Sequence, residues 1–168
     1  MDDFLQEIEQ ALENNLFFVA LQATLALPDI CGALQSDDSV GKRYKEWFNQ
    51  YGRKHTYSRM TAEDCYYFRC SMLHQASTVP SPYDGEQLNY TRILFVVEPE
   101  CLYHNNVING ALNIDLHIFC RGIIAGVREW QRHMEETQNE VYAKKYSQMI
   151  RVYMEGLAPY TQGLITIT

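Results

Sequence analysis

The chain has 168 residues, about the size of one domain, and its 46% hydrophobic and 21% charged residues suffice for an ordinary buried core. Its net charge of −7 argues against nonspecific binding to duplex nucleic acid, which needs a broad basic face. No apolar run reaches the roughly 18 residues of a membrane span, and the acidic start Met1–Phe4 lacks the basic stretch of a secretory signal. We therefore expect a cytoplasmic protein without a membrane partner.

The first half of the chain is predicted to be helical. Its predicted elements are a long helix at Phe4–Leu27, a short helix at Pro28–Leu34, a turn at Ser36–Ser39, a helix through Tyr44–Tyr51 and a polar basic loop at Arg53–Met60. Pro28 is expected to end or kink the first helix, and Gly52 to stop the helix before the loop.

The next helix is predicted to begin at Thr61-Ala62-Glu63-Asp64, which resembles a capping box. In a capping box, two side chains satisfy free backbone N–H groups at the start of a helix. The helix is predicted to place one stripe on its inner face: Cys65, Phe68, Met72 and Ala76. The segment Thr78–Pro82 ends it.

The second half mixes strands and helices. Its predicted elements are short strands at Arg92–Val97 and Asn109–Leu116, a long helix at Leu116–Trp130, a last long helix at Asn139–Glu155 and a β-branched tail at Gly163–Thr168. We expect the two strands to pair as a hairpin, and the tail to be an edge strand or a swapped or disordered end. The predicted fold is mainly α: a four-to-five-helix bundle with a small β-hairpin insertion near 91–116, one domain over 1–158 and a C-terminal tail over 159–168.

The cysteines do not indicate a metal site. There are five, at Cys31, Cys65, Cys70, Cys101 and Cys120. Their number is odd and no two have CxxC spacing, whereas a zinc cage or a disulfide framework would normally show paired spacing. We expect buried, reduced thiols, no bound metal and no cofactor.

Charge is segregated along the chain. The formal charge is −8 over Met1–Gly41, +4 over Lys42–His74 and −3 over the remainder. The basic segment supplies the RNA-binding candidates Lys42, Arg43, Arg53, Lys54 and Arg59. A solvated helix face followed by a loop is the alternative explanation.

Arg69 and His74 are the candidate catalytic residues. Arg69 lies among apolar positions of its helix, where an unpaired guanidinium is costly, and His74 follows five residues later. An arginine fork can hold a phosphate, and a histidine can move a proton near neutral pH. The pair could cleave RNA by activating the 2′-hydroxyl against the adjacent phosphate. Alternatively, Arg69 pairs with a buried carboxylate such as Asp29 and His74 caps the helix end.

Supporting candidates carry alternatives of their own. Asp29 could orient Arg69 or His74, or could simply cap a helix. Cys70 could be an activated thiol beside Arg69, or a buried structural cysteine.

Further residues are weaker candidates. A second Arg-x4-His, Arg128–His133, has polar surroundings and is interpreted as the outer face of a long helix. His104 and His117 lack metal-ligand spacing. Four tyrosines could stack bases beside the basic segment or could be ordinary packing: Tyr51, Tyr57, Tyr66 and Tyr67.

The segment Thr61–His74, with its Arg-x4-His late in a helix, resembles the motif helix of the HEPN superfamily. Leu25–Gly32 followed by Arg43–Phe48 is also similar to small uncharacterised bacterial proteins of this type. The resemblance covers roughly residues 15–76, and the bundle plan extends it to Glu155.

The resemblance implies a homodimer in which two Arg–His pairs face each other across a cleft and act as a metal-independent endoribonuclease. It assigns the phosphate to Arg69 and acid or base catalysis to His74. Such proteins often serve in toxin–antitoxin, phage-defence or stress systems, so an antitoxin or regulatory protein is a further possible partner. Cys70 departs from the pattern, because many active members have a polar residue there. The alternative is a noncatalytic nucleotide- or protein-binding module.

Overall fold

The computed structural model describes residues 1–80, 88–98 and 103–168. In chain order its helices are α1 (Asp2–Glu13), α2 (Phe17–Gln35), α3 (Val40–Trp47), a π-helical segment (Phe48–Gly52), α4 (Arg53–Thr56), α5 (Ala62–Gln75), α6 (Leu116–Glu136) and α7 (Glu140–Tyr146). The predicted mainly-α class is confirmed. Because α3, the π-helical segment and α4 follow one another without a break, the described residues contain six continuous helices rather than four or five.

The predicted first helix is in fact two helices. Asn15, between α1 and α2, has a φ of 58°, a left-handed conformation that asparagine tolerates better than most residues. Apolar positions keep their helical spacing across this break, so periodicity alone did not reveal it. Pro28 lies inside α2 and does not end the helix.

The helix through Tyr51 does not stop at Gly52, and Arg53–Thr56 is helical instead of loop. A Cβ on Gly52 would lie 3.0 Å from the Phe48 side chain and 3.1 Å from that of Ile123. The glycine therefore permits close packing, and the chain leaves the helix only at Tyr57, where φ is 49°.

The predicted capping box at the start of α5 is confirmed. The Thr61 side chain accepts from the Asp64 N–H at 3.1 Å, and an Asp64 carboxylate oxygen accepts from the Thr61 N–H at 3.1 Å. The same buried carboxylate also accepts from the backbone and side chain of Asn89. α5 ends at Gln75, and residues 81 and 82 of the predicted terminator lie outside the described ranges.

The core lies between α2, α3, α5 and α6. The predicted inner stripes are confirmed for α5 at Cys65, Phe68 and Met72, whereas Ala76 lies beyond the helix end and is exposed. The predicted stripe of α6 is buried throughout: Leu116, Phe119, Cys120, Ile123, Ile124, Val127 and Trp130. Four described cysteines are free and buried: Cys31, Cys65, Cys70 and Cys120, while Cys101 lies outside the described residues.

A three-stranded sheet forms the β insertion, in the order β1 (Arg92–Val96), β3 (Ala111–Asp115), β2 (Asn106–Ile108). β1 and β3 are the predicted partners, but they pair in parallel, with Ile93 opposite Leu112, so the predicted hairpin between them is wrong. The hairpin is instead β2–β3, because Asn109 and Gly110, with φ of 51° and 77°, make a tight turn of the type that Asn-Gly favours.

The predicted last helix, Asn139–Glu155, is wrong in length. Only Glu140–Tyr146 is α-helical, and the chain then forms β4 (Val152–Tyr153). β4 pairs antiparallel with β5 (Thr166–Ile167), so the predicted edge strand in the tail is present. This pairing crosses the predicted boundary between residues 158 and 159.

α2 is long and apolar enough, by length and composition, to cross a membrane, with a mean hydropathy of 1.6 over 18 residues. Half of that window is buried inside the protein, against α1, α3 and α6 among others. Core helices of globular proteins meet the same criterion, so the finding is weak as an indication of a membrane span.

Candidate functional site

Asp29 joins two arginines from two other helices. Its Oδ2 accepts from Arg69 Nη2 at 2.7 Å, and its Oδ1 accepts from Arg43 Nη2 at 3.1 Å. The three side chains are 19%, 14% and 21% exposed, respectively. We call Asp29, Arg43 and Arg69 the arginine cluster. The Asp29–Arg69 pairing that the sequence offered as an alternative to a free Arg69 is present.

The backbone brings the arginine cluster together through Gly32 on α2. A Cβ at Gly32 would lie 3.0 Å from the carbonyl oxygen of Arg43, so α2 and α3 approach closely there. Asp29 lies on α2 one turn before this contact. The short approach lets the Arg43 side chain reach back to the carboxylate.

The arginine cluster carries more positive than negative charge. Two guanidinium groups share one carboxylate, which leaves a formal charge of +1 in a partly buried position. Among the described residues, the Nε atoms of Arg43 and Arg69 are buried without a hydrogen-bond partner. An anion is the natural complement of such a site, since buried charges and donors are costly unless paired.

His74 lies in the last turn of α5 and is exposed. Helix geometry turns it about 140° away from Arg69, at 100° per residue. Within the described part of the chain, no hydrogen bond or ion pair orients the His74 ring. Cys70 is buried, and its sulfur lies 4.0 Å from Arg69 Nη1.

Much of the predicted RNA-binding basic segment is already paired with acids. Lys42 contacts Asp38, Arg43 contacts Asp29, and Lys54 contacts Glu129. Arg53 and Arg59 are exposed and form no ion pair with any described residue. The sequence could not reveal the pairing of Arg43 with Asp29 or of Lys54 with Glu129, because these acids come from distant segments. Asp38, in contrast, lies only four residues before Lys42.

A second group of titratable side chains lies where α4 crosses α6. His55 Nε2 is 2.6 Å from Glu129 Oε2, and the hydroxyl of Tyr51 is 2.5 Å from His133 Nδ1. Lys54 Nζ also contacts Glu129, at 2.5 Å. We call these five residues the crossing cluster.

The acid–base properties of the crossing cluster follow from its contacts. Hydrogen bonds from Lys54, then from His55, lower the pKa of Glu129, so this carboxylate stays ionised. Burial, with a smaller contribution from the Glu129 charge, raises the pKa of Tyr51, which keeps its phenol protonated.

Two glycines of α6 permit the crossing. A Cβ on Gly122 would lie 2.5 Å from the carbonyl oxygen of His55, and one on Gly126 would lie 2.8 Å from that of Tyr51. Sequence reasoning missed this cluster, although two signals were visible. One was the Gly-x3-Gly spacing, and the other was the pair of i, i+4 spacings Tyr51–His55 and Glu129–His133.

The arginine and the histidine of the second Arg-x4-His motif make separate contacts. Arg128 pairs with Glu9 on α1, at 3.2 Å, whereas His133 contacts Tyr51. His133 therefore lies against α3–α4 and not on a purely outer face as interpreted from the sequence.

The remaining histidines and tyrosines have mostly structural contacts. His104 accepts from the Asp115 N–H through Nδ1, and its Nε2 lies 3.1 Å from the carbonyl oxygen of Thr56. His117 stacks edge-on against Phe17. No group of three or more metal-ligand side chains occurs within residues 1–80, 88–98 and 103–168.

Of the four tyrosines suggested for base stacking, Tyr57 is 75% exposed and available for it. Tyr51 and Tyr67 are 2% and 6% exposed, so their rings cannot receive a base. Tyr66 is partly buried and contacts the Tyr44 and Tyr67 rings. Packing therefore explains most of this set.

Comparison with protein families, with curated proteins and with solved structures found no match for this chain.

Proposed function

We propose that this chain is a metal-independent endoribonuclease of the HEPN type that holds an RNA phosphate at the arginine cluster. The observation that carries the proposal is the sharing of one carboxylate, Asp29, by two guanidinium groups. A phosphodiester oxygen beside Asp29 would balance the remaining positive charge. It would also accept from arginine N–H groups that Asp29 does not use.

Single-stranded RNA fits the charge of the whole molecule better than duplex does. The chain carries −7 overall, and much of its basic segment is paired with acids, so a broad phosphate-tracking face is lacking in the described residues. Tyr57, Arg53 and Arg59 are exposed and follow α3 in the chain. They offer one stacking ring and two cations that form no ion pair with any described residue.

Cleavage without a metal requires a proton acceptor near the RNA 2′-hydroxyl, which attacks the adjacent phosphorus and leaves a 2′,3′-cyclic phosphate. The HEPN resemblance assigns this part to His74. The resemblance also supports a homodimer and an antitoxin or regulatory partner in a defence or stress system, and we include these in the proposal.

Binding tests the arginine cluster directly. A fluorescent single-stranded RNA with 2′-O-methyl groups cannot undergo 2′-hydroxyl cleavage, so its anisotropy reports affinity alone. Arg69→Gln and Arg43→Gln are each expected to weaken binding about 10- to 100-fold, since a hydrogen bond to a charged group contributes about 1.5–3 kcal/mol. Each substitution should also remove about one phosphate contact. The slope of the logarithm of the binding constant against the logarithm of the salt concentration should therefore become shallower by about 0.7.

Lys144→Gln is the matched control, because Lys144 is an exposed cation on α7 that has no ion pair with any described residue. Circular dichroism must first establish that every variant is folded. Equal affinities for wild type and both arginine variants would refute phosphate binding at the arginine cluster.

A noncatalytic nucleotide- or protein-binding module is the second candidate. Two observations favour it: Asp29 already occupies one amino group of Arg69, and His74 has no orienting contact among the described residues. This candidate predicts that the RNA, or a nucleotide, binds with the same dependence on Arg69 and is released uncut.

A further inference from the structure

The two histidines of the crossing cluster are better prepared for proton transfer than His74. A catalytic histidine needs a second group that fixes its ring and its protonated nitrogen. His55 has such a group in Glu129, and His133 has one in Tyr51, at 2.6 Å and 2.5 Å. His74 has none in the described part of the chain, and both ring nitrogens of His104 are engaged by backbone groups.

The crossing brings together one histidine from each of two helices, His55 from α4 and His133 from α6. Tyr51 and His55 are four residues apart on the α3–α4 helix, and Glu129 and His133 are four apart on α6. The contacts run between the two helices, from Tyr51 to His133 and from His55 to Glu129. Residues one turn apart on one helix have Cβ atoms about 5–6 Å apart, so the two contacts lie side by side along the crossing.

The surroundings of the crossing cluster suit an anionic substrate that arrives from solvent. The His55 side chain is 31% exposed, and Lys54, Arg53 and Arg132 are exposed cations on the same two helices. Glu129 offsets one of these charges. Tyr51 belongs to the π-helical segment, and such segments occur frequently at functional sites.

We propose that His133 and His55 are the base and the acid of an RNA-cleaving site at the crossing cluster. The inference rests on the proposed function, because it keeps RNA as substrate and the 2′-hydroxyl as nucleophile. It differs in assigning the proton transfers to this pair and not to His74. Arg43 lies eight residues before Tyr51, about 12 Å along a helix, so the arginine cluster could hold a neighbouring part of the strand.

The proposed cleavage step requires neither a metal nor a co-reactant. His133, with the proton on Nδ1 donated to the Tyr51 oxygen, takes the 2′-hydroxyl proton on Nε2. The 2′-oxygen bonds to phosphorus, and the bond from phosphorus to the 5′-oxygen breaks. Protonated His55 gives its Nδ1 proton to that oxygen and keeps its Nε2 proton toward Glu129. The products are a 2′,3′-cyclic phosphate and a 5′-hydroxyl, and exchange with solvent restores both rings.

Tyr51 and Glu129 are positioning residues in this scheme. Tyr51 holds the ring of His133 in place, and Glu129 holds the ring of His55. Lys54 adds positive charge beside the scissile phosphate, where negative charge accumulates during the reaction.

The test measures cleavage of a labelled single-stranded RNA in EDTA by full-length wild type, His133→Gln and His55→Gln. Glutamine can keep the hydrogen bond to Tyr51 or to Glu129 but cannot transfer the proton. Each substitution is expected to lower kcat at least about 100-fold while binding of 2′-O-methyl RNA stays unchanged. Tyr51→Phe is expected to lower kcat with KM unchanged. Glu13→Gln, an exposed change at the end of α1, is the control.

Wild-type cleavage by folded His133→Gln and His55→Gln would overturn the inference, especially if His74→Gln alone abolishes cleavage. Absence of cleavage by the folded wild type would refute the proposed ribonuclease function, and the inference with it. Failure of the phosphate-binding proposal is distinguishable, because it appears as unchanged RNA affinity in Arg43→Gln and Arg69→Gln and leaves the histidine result standing.

Discussion

Asp29 is expected to influence both the stability of the arginine cluster and its proposed affinity for RNA. Asp29→Asn removes the only negative charge in the arginine cluster and leaves two partly buried guanidinium groups facing each other. We expect it to lower the free energy of unfolding by about 1–2 kcal/mol, less than for a fully buried pair because these side chains are partly exposed. RNA affinity should rise at the same time, since no carboxylate competes with the phosphate.

Chemical denaturation and RNA anisotropy measure the two effects on the same protein. Glu13→Gln, a change at an exposed residue that has no ion pair with any described residue, is the control and should change neither quantity much. An Asp29→Asn protein with unchanged stability and weaker RNA binding would contradict this account, because the carboxylate would then help to hold the ligand.

The buried thiols are expected to be unreactive in the native protein. Burial raises the pKa of Cys65 and of Cys120 to about 12, and that of Cys31 well above its ordinary value. At pH 8 these thiols are therefore protonated, and only the thiolate reacts. We expect iodoacetamide to leave all three unlabelled in the native protein and to label them in denaturant, as read by peptide mass spectrometry. Native labelling of Cys65 at the rate of a free cysteine would contradict the structure.

Among individual residues, the sequence identified Asp29, Arg43 and Arg69 as candidate site residues, and the structure brings them together. The sequence could not indicate that Asp29 would bind both arginines, because Arg43 reaches Asp29 only through the close approach of α2 and α3 at Gly32. Burial of Tyr51 and Tyr67 was equally hidden, since their spacing suits a stacking surface and a core alike.

Among the secondary-structure elements, the crossing of α4 and α6 depends on glycine. Gly→Ala in a helix normally stabilises by about 0.5–1 kcal/mol. At Gly122 the added methyl would lie 2.5 Å from a backbone oxygen, which cannot move alone. We expect Gly122→Ala to destabilise the protein by about 1–3 kcal/mol and to separate His55 from Glu129. Equilibrium denaturation measures the first effect.

Gly41→Ala is the matched control in α3, because its methyl would meet the end of the Tyr66 ring at 3.3 Å and a side chain can shift. Its change should be clearly smaller than that of Gly122→Ala. If the Gly122→Ala protein were as stable as wild type, the close crossing of α4 and α6 would be wrong. The geometry of the crossing cluster would then be wrong as well.

Elements with strong local signals were predicted well, namely the capped α5 and the apolar stripe of α6. Elements fixed by distant partners were not. Gly52 resembles a helix stop, yet tertiary packing against Ile123 carries the helix through it. The parallel β1–β3 pairing joins residues about twenty positions apart, and no local pattern distinguishes it from a hairpin.

For the molecule as a whole, the mainly-α class followed from helical periodicity over most of the chain, while the arrangement of the helices required the structure. The proposed homodimer is a property at this scale. Light scattering coupled to size exclusion should give about twice the chain mass of 19.6 kDa at micromolar concentration. A mass of one chain at every concentration would exclude the two-chain cleft that the HEPN resemblance implies.

The product of RNA cleavage tests the proposed ribonuclease activity most directly. Wild-type protein is incubated with a labelled single-stranded RNA in EDTA, and the new 3′ ends are identified. Cleavage is expected to persist in EDTA and to leave 2′,3′-cyclic phosphate ends, as 2′-hydroxyl attack requires. An RNA that stays intact with folded protein, or cleavage that EDTA abolishes, would contradict the claim that this chain is a metal-independent endoribonuclease.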